Sequence, residues 1–456
     1  MKSVRHLLLS GIAAGLPAVM PAAEPGEPGV LDLTRLANYA NQPVPAYVTH
    51  DNTPADNPIT DAGATLGRVL FYDVRLSRND TVSCASCHDQ SHAFSDADVA
   101  SGGVAGTTGR HSMRLINTRF ARESRFFWDE RAFSLEQQTT QPIRDHVEMG
   151  FSGTAGDPDF ATLTVKLSTI PEYRVLFAMT FGDPAIREDR IQKSIAQFVR
   201  SIQSFDSKYD AGRTTTPDNQ DFPNFTAQEN LGKSQFMLPP DQGGAGCATC
   251  HTPPTFDIDP ASGNNGVIGK IGGGQDLTNT RAPSLRDLIG PGGPNGPFMH
   301  DGSMTGLGQI TNHYRSAIPD NPNLDPRLRR PPLPFNNSNL APLRAFLHTL
   351  TGTAVYQDPK WSSPFNASGG LELIVLPMNA FRLERDQETP SGPLVLRGHA
   401  AANLDYRIES SASLGITDPW QTVATIRSDA DGLVEHPVPI DADRHFYRVV
   451  FDVPAE

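Results

Sequence analysis

The sequence predicts a mainly α-helical protein that consists of two tandem domains of one kind, followed by a small all-β sandwich. Three observations lead to this prediction. The pentapeptide pattern C-x-x-C-H occurs twice, at Cys84–His88 and at Cys247–His251. A similar helix-forming run stands before each copy. Beyond about residue 368, short β-type runs separated by polar turns replace the helical patterns.

The repeated pentapeptide is the attachment signature of c-type haem. The two thiols add across the porphyrin vinyl groups, and the adjacent histidine ligates the iron. The alternative is a redox-active or zinc-binding cysteine pair that happens to precede a histidine. Haem is favoured because both copies together use all 4 cysteines of the chain. We therefore expect two covalently bound haem c groups. The expected attachment residues are Cys84, Cys87, Cys247 and Cys250, and the expected iron ligands are His88 and His251.

The helix-forming runs make the two motif segments an internal repeat. Leu66–Phe71 precedes the first motif and Leu231–Phe236 precedes the second, at a similar distance from the first cysteine. Thr226 and Glu229 form a capping box that predicts the start of the second helix, and Asp61 is the expected start of the first. A helix followed by C-x-x-C-H is how a small cytochrome c begins, so we expect two tandem cytochrome c-like haem domains.

Further patterns predict the domain boundaries. Ile191–Ile202 has apolar residues at helical spacing and predicts an amphipathic helix that packs in the core. The stretch 214–225 resembles a linker, and Leu340–Leu350 predicts a short helix that closes the second domain. The expected divisions are a signal peptide at 1–23, an N-terminal haem domain at 24–213, a C-terminal haem domain at 214–367 and a β-sandwich module at 368–456.

The beginning of the chain has the pattern of a secretory signal peptide. Basic residues are followed by an apolar stretch, Leu7–Val19, which is too short to span a bilayer. Ala22 and Ala23 supply small residues at the expected cleavage site. Haem is attached to c-type proteins outside the cytoplasm, which agrees with export. The sequence thus predicts a protein of the periplasm or cell surface, without a later membrane-spanning segment.

Composition excludes some partners. The chain has 38 Lys and Arg against 51 Asp and Glu, a formal net charge of −13. This excess of negative charge argues against nucleic acid or an anionic membrane as a partner. The 39 glycines and 39 prolines indicate a large proportion of loop.

The C-terminal runs predict a sandwich that resembles a fibronectin type III module. Polar and glycine-containing turns separate the runs, and no group of residues in them suggests chemistry. Trp420 is expected to be the core aromatic of this module. The five runs are Leu371–Leu376, Leu394–Arg397, Tyr406–Glu409, Thr422–Ile426 and Phe446–Val450.

The segment 119–150 contains groups that haem chemistry can use. A peroxidase needs a base that moves the peroxide proton and a donor that polarises the O–O bond. The carboxylate of Glu148 and the carboxamide of Gln138 are candidates for these roles, and Trp128 lies just downstream of the first motif. From the residues alone, Glu148 could equally be a solvent-exposed residue and Trp128 a core aromatic.

The order of motifs resembles the bacterial di-haem cytochrome c peroxidases and the related MauG enzymes. The resemblance spans about residues 60–360, with both haem motifs in register, and leaves the β module outside. Besides the two pentapeptides, the matching residues are Phe71, Arg75-Leu76-Ser77, Phe127-Trp128-Asp129, Arg131, Gln138, Pro142, Glu148-Met149, Pro283-Ser284-Leu285-Arg286 and Met299-His300-Asp301-Gly302-Ser303.

The resemblance implies a role for each candidate residue. The N-terminal haem is peroxidatic, with His88 as proximal ligand, and the C-terminal haem, with His251 as proximal ligand, passes electrons. Glu148 is the acid/base above the first iron, and Gln138 lies on the same side. Trp128 matches the tryptophan that carries electrons between the two haems.

The distal ligand of the second haem distinguishes the two branches of the family. The peroxidases have a methionine where this chain has Tyr314, whereas MauG-like enzymes have a tyrosine. A thioether ligand raises the iron potential, and a phenolate lowers it. The resemblance therefore implies Tyr314 as an iron ligand, with His313 or Met304 as the alternatives.

A second departure concerns activation. Many di-haem peroxidases close the first iron with a histidine in the loop after the first motif, but the corresponding stretch here, Ser101–Ala105, has none. His111 matches an asparagine that contributes to an inter-domain calcium site in those peroxidases. We therefore expect an open first iron without prior reduction, and the presence of a calcium ion is left open.

These features lead to one principal functional hypothesis. An exported di-haem enzyme reduces hydrogen peroxide to water, with electrons that a cytochrome c or cupredoxin delivers through the second haem. A MauG-like alternative uses peroxide to oxidise residues of an exported partner protein. Two further alternatives are a non-catalytic di-haem electron carrier and a binding protein whose β module is the functional part.

Overall fold

The computed structural model describes residues 28–333, 337–377, 380–385, 394–438 and 446–455, and the expected signal peptide at 1–23 lies outside them. In this part of the chain no helix is long and apolar enough to cross a membrane. The α-helices are α1 Asp61–Tyr72, α2 Leu135–Arg144, α3 Phe160–Ser168, α4 Pro171–Phe181, α5 Glu188–Ser201, α6 Lys208–Arg213, α7 Ala227–Met237, α8 Leu307–Arg315, α9 Asn337–His348 and α10 Ala354–Gln357. The strands are β1 Val30–Asp32, β2 Gly102–Gly103, β3 Gly106–Thr107, β4 His251–Thr252, β5 Asp257–Ile258, β6 Ile289–Gly290, β7 Gly293–Pro294, β8 Glu372–Ile374, β9 Phe381–Arg385, β10 Leu394–His399, β11 Asp405–Ser411, β12 Gln421–Arg427, β13 Leu433–Val438 and β14 Phe446–Phe451.

The chain divides into two compact units. Asn38–Leu163 and Glu188–Ser363 form the first, called the motif unit here because it contains both C-x-x-C-H segments. Thr164–Arg187, Pro364–Glu456 and the chain up to Ala37 form the second, called the strand unit. Most helices belong to the motif unit, whereas the longer strands belong to the strand unit.

Helix α1 packs closely against α5 in the motif unit. A Cβ atom on Gly67 would lie 1.9 Å from the backbone oxygen of Ser194, so only glycine allows this approach of the two helices. One turn further, the rings of Phe71 and Phe198 pack with centroids 5.1 Å apart. The run that precedes the first motif thus supplies residues to the contact between α1 and α5.

Helix α7 packs against α9 in the same manner. A Cβ atom on Gly232 would lie 1.9 Å from the backbone oxygen of Pro342. The rings of Phe236 and Phe346 have centroids 5.3 Å apart. The repeat seen in the sequence therefore corresponds to two helix pairs with the same glycine and phenylalanine contacts.

The predicted helix starts are confirmed. Helix α1 begins at Asp61, with the side chain of Thr60 accepting a hydrogen bond from the Gly63 amide. Thr226 and Glu229 form the expected capping box of α7. The helices expected around 191–202 and 340–350 are α5 and α9.

The stretch 214–225, expected to be a linker, is packed rather than loose at its end. Phe222 and Phe225 are buried, and the Phe222 ring packs against Tyr209 with centroids 5.6 Å apart. The Lys233 ammonium lies 3.5 Å from the centroid of the Phe222 ring. These aromatic residues join the core around α7 and α9.

Two three-stranded antiparallel sheets make up most of the strand unit. One has the order β13-β10-β9 and the other the order β12-β11-β14, with a register shift between Ile408 and Glu409. Alternate residues of these strands are buried, among them Leu396, Tyr406 and Val434. The alternation is the pattern of sheets with one face in a core.

Two expectations for this region are corrected. The run 371–376 contains β8, which pairs in parallel with β1 rather than with the two sheets. Trp420 is only half-buried, because it lies at the start of β12 beneath the Arg448 guanidinium, 4.4 Å from the ring centroid. Tyr406, which is 0% exposed, is the buried aromatic residue of β11.

Candidate active site

The first C-x-x-C-H segment forms a tight turn that begins at Cys84, after α1 in the chain. The amides of Cys87 and His88 both bond to the carbonyl of Cys84, at 3.2 and 3.0 Å. The imidazole Nδ1 of His88 lies 3.0 Å from the carbonyl oxygen of Phe94, a residue with a left-handed backbone (φ 59°). Burial lowers the pKa of His88, so the imidazole is neutral. With Nδ1 directed at a carbonyl, Nε2 is the nitrogen available to a metal.

The second segment repeats this turn. The amide of Cys250 bonds to the carbonyl of Cys247 at 3.2 Å. Burial lowers the pKa of His251 to about 4. The buried Phe256 follows with a left-handed backbone (φ 54°), in the place that Phe94 takes after the first motif. Both histidines are thus neutral and partly buried, and a neutral imidazole is the form that ligates iron.

A cavity of about 640 Å³ opens beside the first segment. Cys84, Cys87 and His88 line it, together with Gln138 and Glu148. Residues of α2 at helical spacing form part of the wall, because one face of that helix points inward. These residues are Leu135, Gln138, Thr139 and Pro142. The structure therefore brings together the residues that the sequence assigned to the peroxidatic site.

Glu148 has a perturbed acidity in this cavity. Burial, and then the neighbouring charge of Asp145, raise the pKa of the Glu148 carboxyl to about 7, while Arg131 acts in the opposite direction. The Glu148 side chain makes no hydrogen bond or ion pair with any described residue. A carboxyl with this pKa exchanges protons readily at neutral pH, as a general acid/base must.

The backbone of Glu148 is fixed by the β2–β3 hairpin. Its carbonyl accepts a hydrogen bond of 3.0 Å from the Val104 amide, and the Val147 carbonyl accepts one of 3.1 Å from Ala105. Gly103 allows this approach, because a Cβ atom there would lie 2.1 Å from the Val147 oxygen. The loop that lacks a histidine thus positions the carboxylate instead.

A second, smaller cavity of about 130 Å³ lies beside the second segment. Cys247, His251 and Tyr314 line it, together with Asn265 and Met299. Burial raises the pKa of the Tyr314 phenol, and the Tyr314 oxygen lies 3.4 Å from the Asn265 side-chain nitrogen. The predicted proximal and distal residues of the second haem therefore line one cavity.

Trp128 lines both cavities. Its indole Nε1 donates a hydrogen bond of 2.7 Å to the His111 carbonyl. Its own carbonyl accepts hydrogen bonds from the amides of Thr280 and Arg281, at 3.0 and 3.1 Å. The ring packs edge-on against His300, with centroids 6.2 Å apart. Segments that follow the two motifs thus hold one indole in the wall shared by both cavities.

Sequence comparison agrees with this arrangement of two sites. A model of the di-haem cytochrome c peroxidase family matches residues 61–216. The methylamine utilization protein MauG of Methylophilus methylotrophus is 33% identical over 313 residues, which are 66% of this chain and 86% of that relative. The chain belongs to the di-haem cytochrome c peroxidase and MauG family. The predicted family and the predicted enzyme class, an oxidoreductase, are confirmed.

Other relatives of this di-haem family represent both of its branches. The cytochrome c551 peroxidase of Nitrosomonas europaea is 29% identical over 331 residues, 69% of this chain and 85% of that relative. The crystal structure of a MauG-like protein associated with microbial copper homeostasis superposes with a TM-score of 0.57 at 27% identity, covering 71% of this chain and 99% of the other. The motif-bearing part of the chain thus has the fold of a di-haem peroxidase or MauG-like protein.

The residues present fit two haem groups of this di-haem enzyme. All four motif cysteines are free of disulfides, as thioether attachment requires. The first cavity lies within the usual volume range of cofactor pockets, roughly 300–1,000 Å³. Each cavity is lined by a neutral histidine of its motif.

The alternatives to Tyr314 are distinguished by their contacts. The Nε2 atom of His313 lies 2.9 Å from the Asn265 carbonyl, so that nitrogen is already engaged. Met304 does not line the second cavity of the di-haem enzyme, and its backbone pairs with Phe298 instead. Met299, which had been given no role, does line it. Its thioether was a visible signal in the sequence, because methionine is a known haem ligand.

Both ring nitrogens of His111 also have neighbours. Nδ1 lies 3.0 Å from the Asp98 carbonyl and Nε2 lies 3.3 Å from the Ser95 hydroxyl. Burial lowers the pKa of His111. Within the described part of the chain, no three His, Cys, Asp or Glu side chains cluster around a common point.

Proposed function

We propose that the protein reduces hydrogen peroxide to water with two electrons from an external donor: H₂O₂ + 2 H⁺ + 2 e⁻ → 2 H₂O. The observation that supports this best is the Glu148 carboxyl, with a pKa of about 7, in the cavity that also contains His88. When bound there, haem supplies the iron at which the O–O bond is cleaved. The protein supplies the proton transfers and the path for electrons.

Glu148 moves the proton from one peroxide oxygen to the other. A carboxyl that is close to half ionised at neutral pH both accepts and returns a proton without a large free-energy change. Gln138, on the inward face of α2, can donate a hydrogen bond from its carboxamide and so polarise the O–O bond. The β2–β3 hairpin holds the Glu148 backbone in place, because the Val104 amide donates a hydrogen bond to the Glu148 carbonyl.

Trp128 carries electrons between the two haem sites in this proposal. Support comes from its place in the wall of both cavities and from the hydrogen bonds that fix its ring and backbone. His251 and Tyr314, which line one cavity, would hold the second haem iron. An anionic oxygen ligand from Tyr314 would favour the oxidised state of that iron.

A haem iron held by His88 would be open to peroxide without prior reduction in this proposal. The stretch Ser101–Ala105 offers no histidine, and its hairpin is bonded to the Glu148 segment. His111 has both ring nitrogens directed at the Asp98 carbonyl and the Ser95 hydroxyl. These contacts support an enzyme that needs no reductive activation.

A MauG-like function is the second candidate, and Tyr314 favours it. In this variant the two electrons come from residues of an exported partner protein rather than from a cytochrome c or cupredoxin. The relative at 33% identity bears the name methylamine utilization protein MauG. The chemistry at Glu148 is the same in both variants, and only the electron source differs.

We further propose the domain division expected from the sequence. The two helix pairs, α1 with α5 and α7 with α9, support tandem haem domains at 24–213 and 214–367. The strand orders β13-β10-β9 and β12-β11-β14 support a fibronectin III-like module. Counted from β9, the first, second and fifth strands form one sheet, and the third, fourth and sixth strands form the other. This module docks a partner or holds the enzyme at the cell surface.

The predicted signal peptide at 1–23 makes the protein periplasmic or surface-located.

Stoichiometric peroxide, followed by donors, tests the proposal. The purified two-haem protein is mixed with one equivalent of peroxide, and reduced cytochrome c, a reduced cupredoxin or exported candidate proteins are then added. Rapid donor oxidation with peroxide consumption supports the peroxidase. An oxidised state that persists until a protein substrate arrives supports the MauG-like variant. If peroxide is not consumed and the haems only exchange electrons, the protein is a carrier and the proposal is wrong.

A further inference from the structure

Arg114 occupies an unusual place between the two sites. Its side chain lines both cavities, although the residue is only 8% exposed. One terminal nitrogen donates a hydrogen bond of 3.3 Å to the Ser284 carbonyl. The Nε atom is buried and has no hydrogen-bond partner among the described residues. A buried guanidinium nitrogen that points at no partner calls for an explanation.

The charge of Arg114 is not neutralised by the described residues. None of their carboxylates forms an ion pair with it. Asp287, whose charge acts on Arg114, bonds through Oδ1 to the Gly352 amide and the Tyr356 hydroxyl, at 2.9 and 3.2 Å. Burial raises the pKa of Asp287 to about 6, so this carboxyl is mostly ionised at neutral pH, but it forms no ion pair with Arg114. An isolated buried cation is strongly disfavoured, and burial lowers the pKa of Arg114 to about 10.

Two other buried arginines of the motif unit have a carboxylate partner, whereas the guanidinium of Arg281 bonds to the backbone carbonyls of Glu123 and Arg125. Arg286 is fully buried and forms two hydrogen bonds of 2.8 Å with Asp210. Arg200 is 2% exposed and forms an ion pair with Glu136. Arg114 differs from Arg286 and Arg200, because no described carboxylate forms an ion pair with it; its guanidinium carbon lies 5.8 Å from the Phe298 ring centroid, and the residue lines both cavities.

We propose that the Arg114 guanidinium binds a haem propionate in the shared wall and that its positive charge acts on both haems. A propionate is the carboxylate that a haem would bring into these cavities, and guanidinium binds carboxylates through paired hydrogen bonds. A nearby cation favours the reduced iron, which carries one positive charge less. Arg114 thereby raises both reduction potentials. This inference rests on the proposed two-haem function.

A redox titration of single-site variants tests this role. R114Q removes the positive charge, and R114K retains it. R119Q is the matched control, because it also removes one positive charge from the same segment. Arg119 pairs with Asp51 and lines neither cavity. Mass spectrometry first establishes two haems per chain. In R114Q we expect the reduction potentials of both haems to fall. The reduction equilibrium of at least one haem should change by tenfold or more, which corresponds to 59 mV for a one-electron couple. R114K and R119Q should remain within about threefold of the wild type.

Other outcomes overturn the inference. Unchanged couples in R114Q, a shift equal to that of R119Q, or a shift of only one couple would each contradict a charge shared by both haems. If R114Q does not retain both haems, a crystal structure of the wild-type holoprotein tests the inference instead. The inference requires that the Arg114 guanidinium contacts a propionate oxygen. A guanidinium that contacts Asp287 and no propionate would contradict it. If the wild-type protein itself does not contain two haems, the proposed function is wrong. The haem count of the wild type therefore distinguishes a failure of the proposed function from a failure of the Arg114 inference.

Discussion

The indole nitrogen of Trp128 donates a 2.7 Å hydrogen bond to the carbonyl oxygen of His111, which follows the first motif, while the Trp128 carbonyl accepts two amides that follow the second. The residue thus connects two stretches of chain that are far apart in sequence. Its indole lies in the wall of both cavities. We propose that this fixed ring carries electrons between the two sites.

W128F should slow the transfer of electrons between the haems. The phenyl ring is smaller, lacks the Nε1 donor and leaves the His111 carbonyl without its partner. We expect donor-driven peroxide turnover to fall by about tenfold, which corresponds to about 1.4 kcal/mol in the barrier. W420F, at a residue that lines neither cavity, is the control and should keep wild-type turnover. Equal rates for W128F and the wild type in stopped-flow experiments would remove Trp128 from the electron path.

E148Q should lose peroxide chemistry while retaining both haems. Glutamine has nearly the same shape but cannot accept the peroxide proton. We expect peroxide turnover to fall by about 10²-fold or more. E384Q, on the exposed face of β9, is the matched control. A carrier without catalysis would show identical electron-transfer rates in both variants and no loss that is specific to E148Q.

The rate of peroxide reaction should rise with pH through about 7. Glu148 must be ionised to take up the proton, and the pKa of its carboxyl is raised to about 7 by burial and by Asp145. Arg131 favours the ionised form, so R131Q should move the rise to higher pH, and D145N should move it to lower pH. In E148Q the rise should disappear. Stopped-flow rates between pH 5 and 9 measure all four profiles, and a wild-type profile that is flat across neutral pH would be incompatible with this assignment.

G67A and G232A should each destabilise the motif unit. A new methyl group at either position would lie 1.9 Å from a backbone oxygen of the facing helix, that of Ser194 or Pro342, and the helices would have to separate. We expect the free energy of unfolding to fall by about 1–3 kcal/mol, measured by denaturant titration. G292A is the control, because a Cβ atom there meets nothing within 4 Å. Losses of equal size in all three variants would refute the role of glycine in these contacts.

Y314F should change the spectrum of one haem only. Removal of the phenol oxygen takes away the proposed ligand of the second iron and leaves the first site intact. We expect the low-spin signal of the second haem to be altered, while M304L resembles the wild type because Met304 lies outside that cavity. M299L is the sharper comparison, since Met299 does line the cavity. If M299L alters the spectrum and Y314F does not, the ligand is the methionine.

The sequence predicted the local features of this molecule well. The capping box at Thr226 and the start of α1 at Asp61 are short-range signals, and both are found. The resemblance to di-haem enzymes assigned Glu148 to the first site, and the structure has that residue in the first cavity with a raised pKa. The spacing of residues within a motif, and the charged residues that are close in sequence to a site residue, can be read without a structure.

Features that depend on distant packing were missed. The pairing of β8 with β1 joins segments that are far apart in the chain, and no local pattern indicates it. Trp420 was expected in a core, but the guanidinium of Arg448 covers it at the surface. Whether Arg114 forms an ion pair depends on how distant segments pack around it, and an arginine in a sequence gives no sign of that.

The resting electron paramagnetic resonance spectrum of the purified diferric protein tests the central claim most directly. An open first iron with only His88 as axial protein ligand predicts one high-spin haem, and a Tyr314-ligated second iron predicts one low-spin haem. Two low-spin, six-coordinate haems would contradict the account, because a side chain would then fill the position that peroxide must reach beside Glu148.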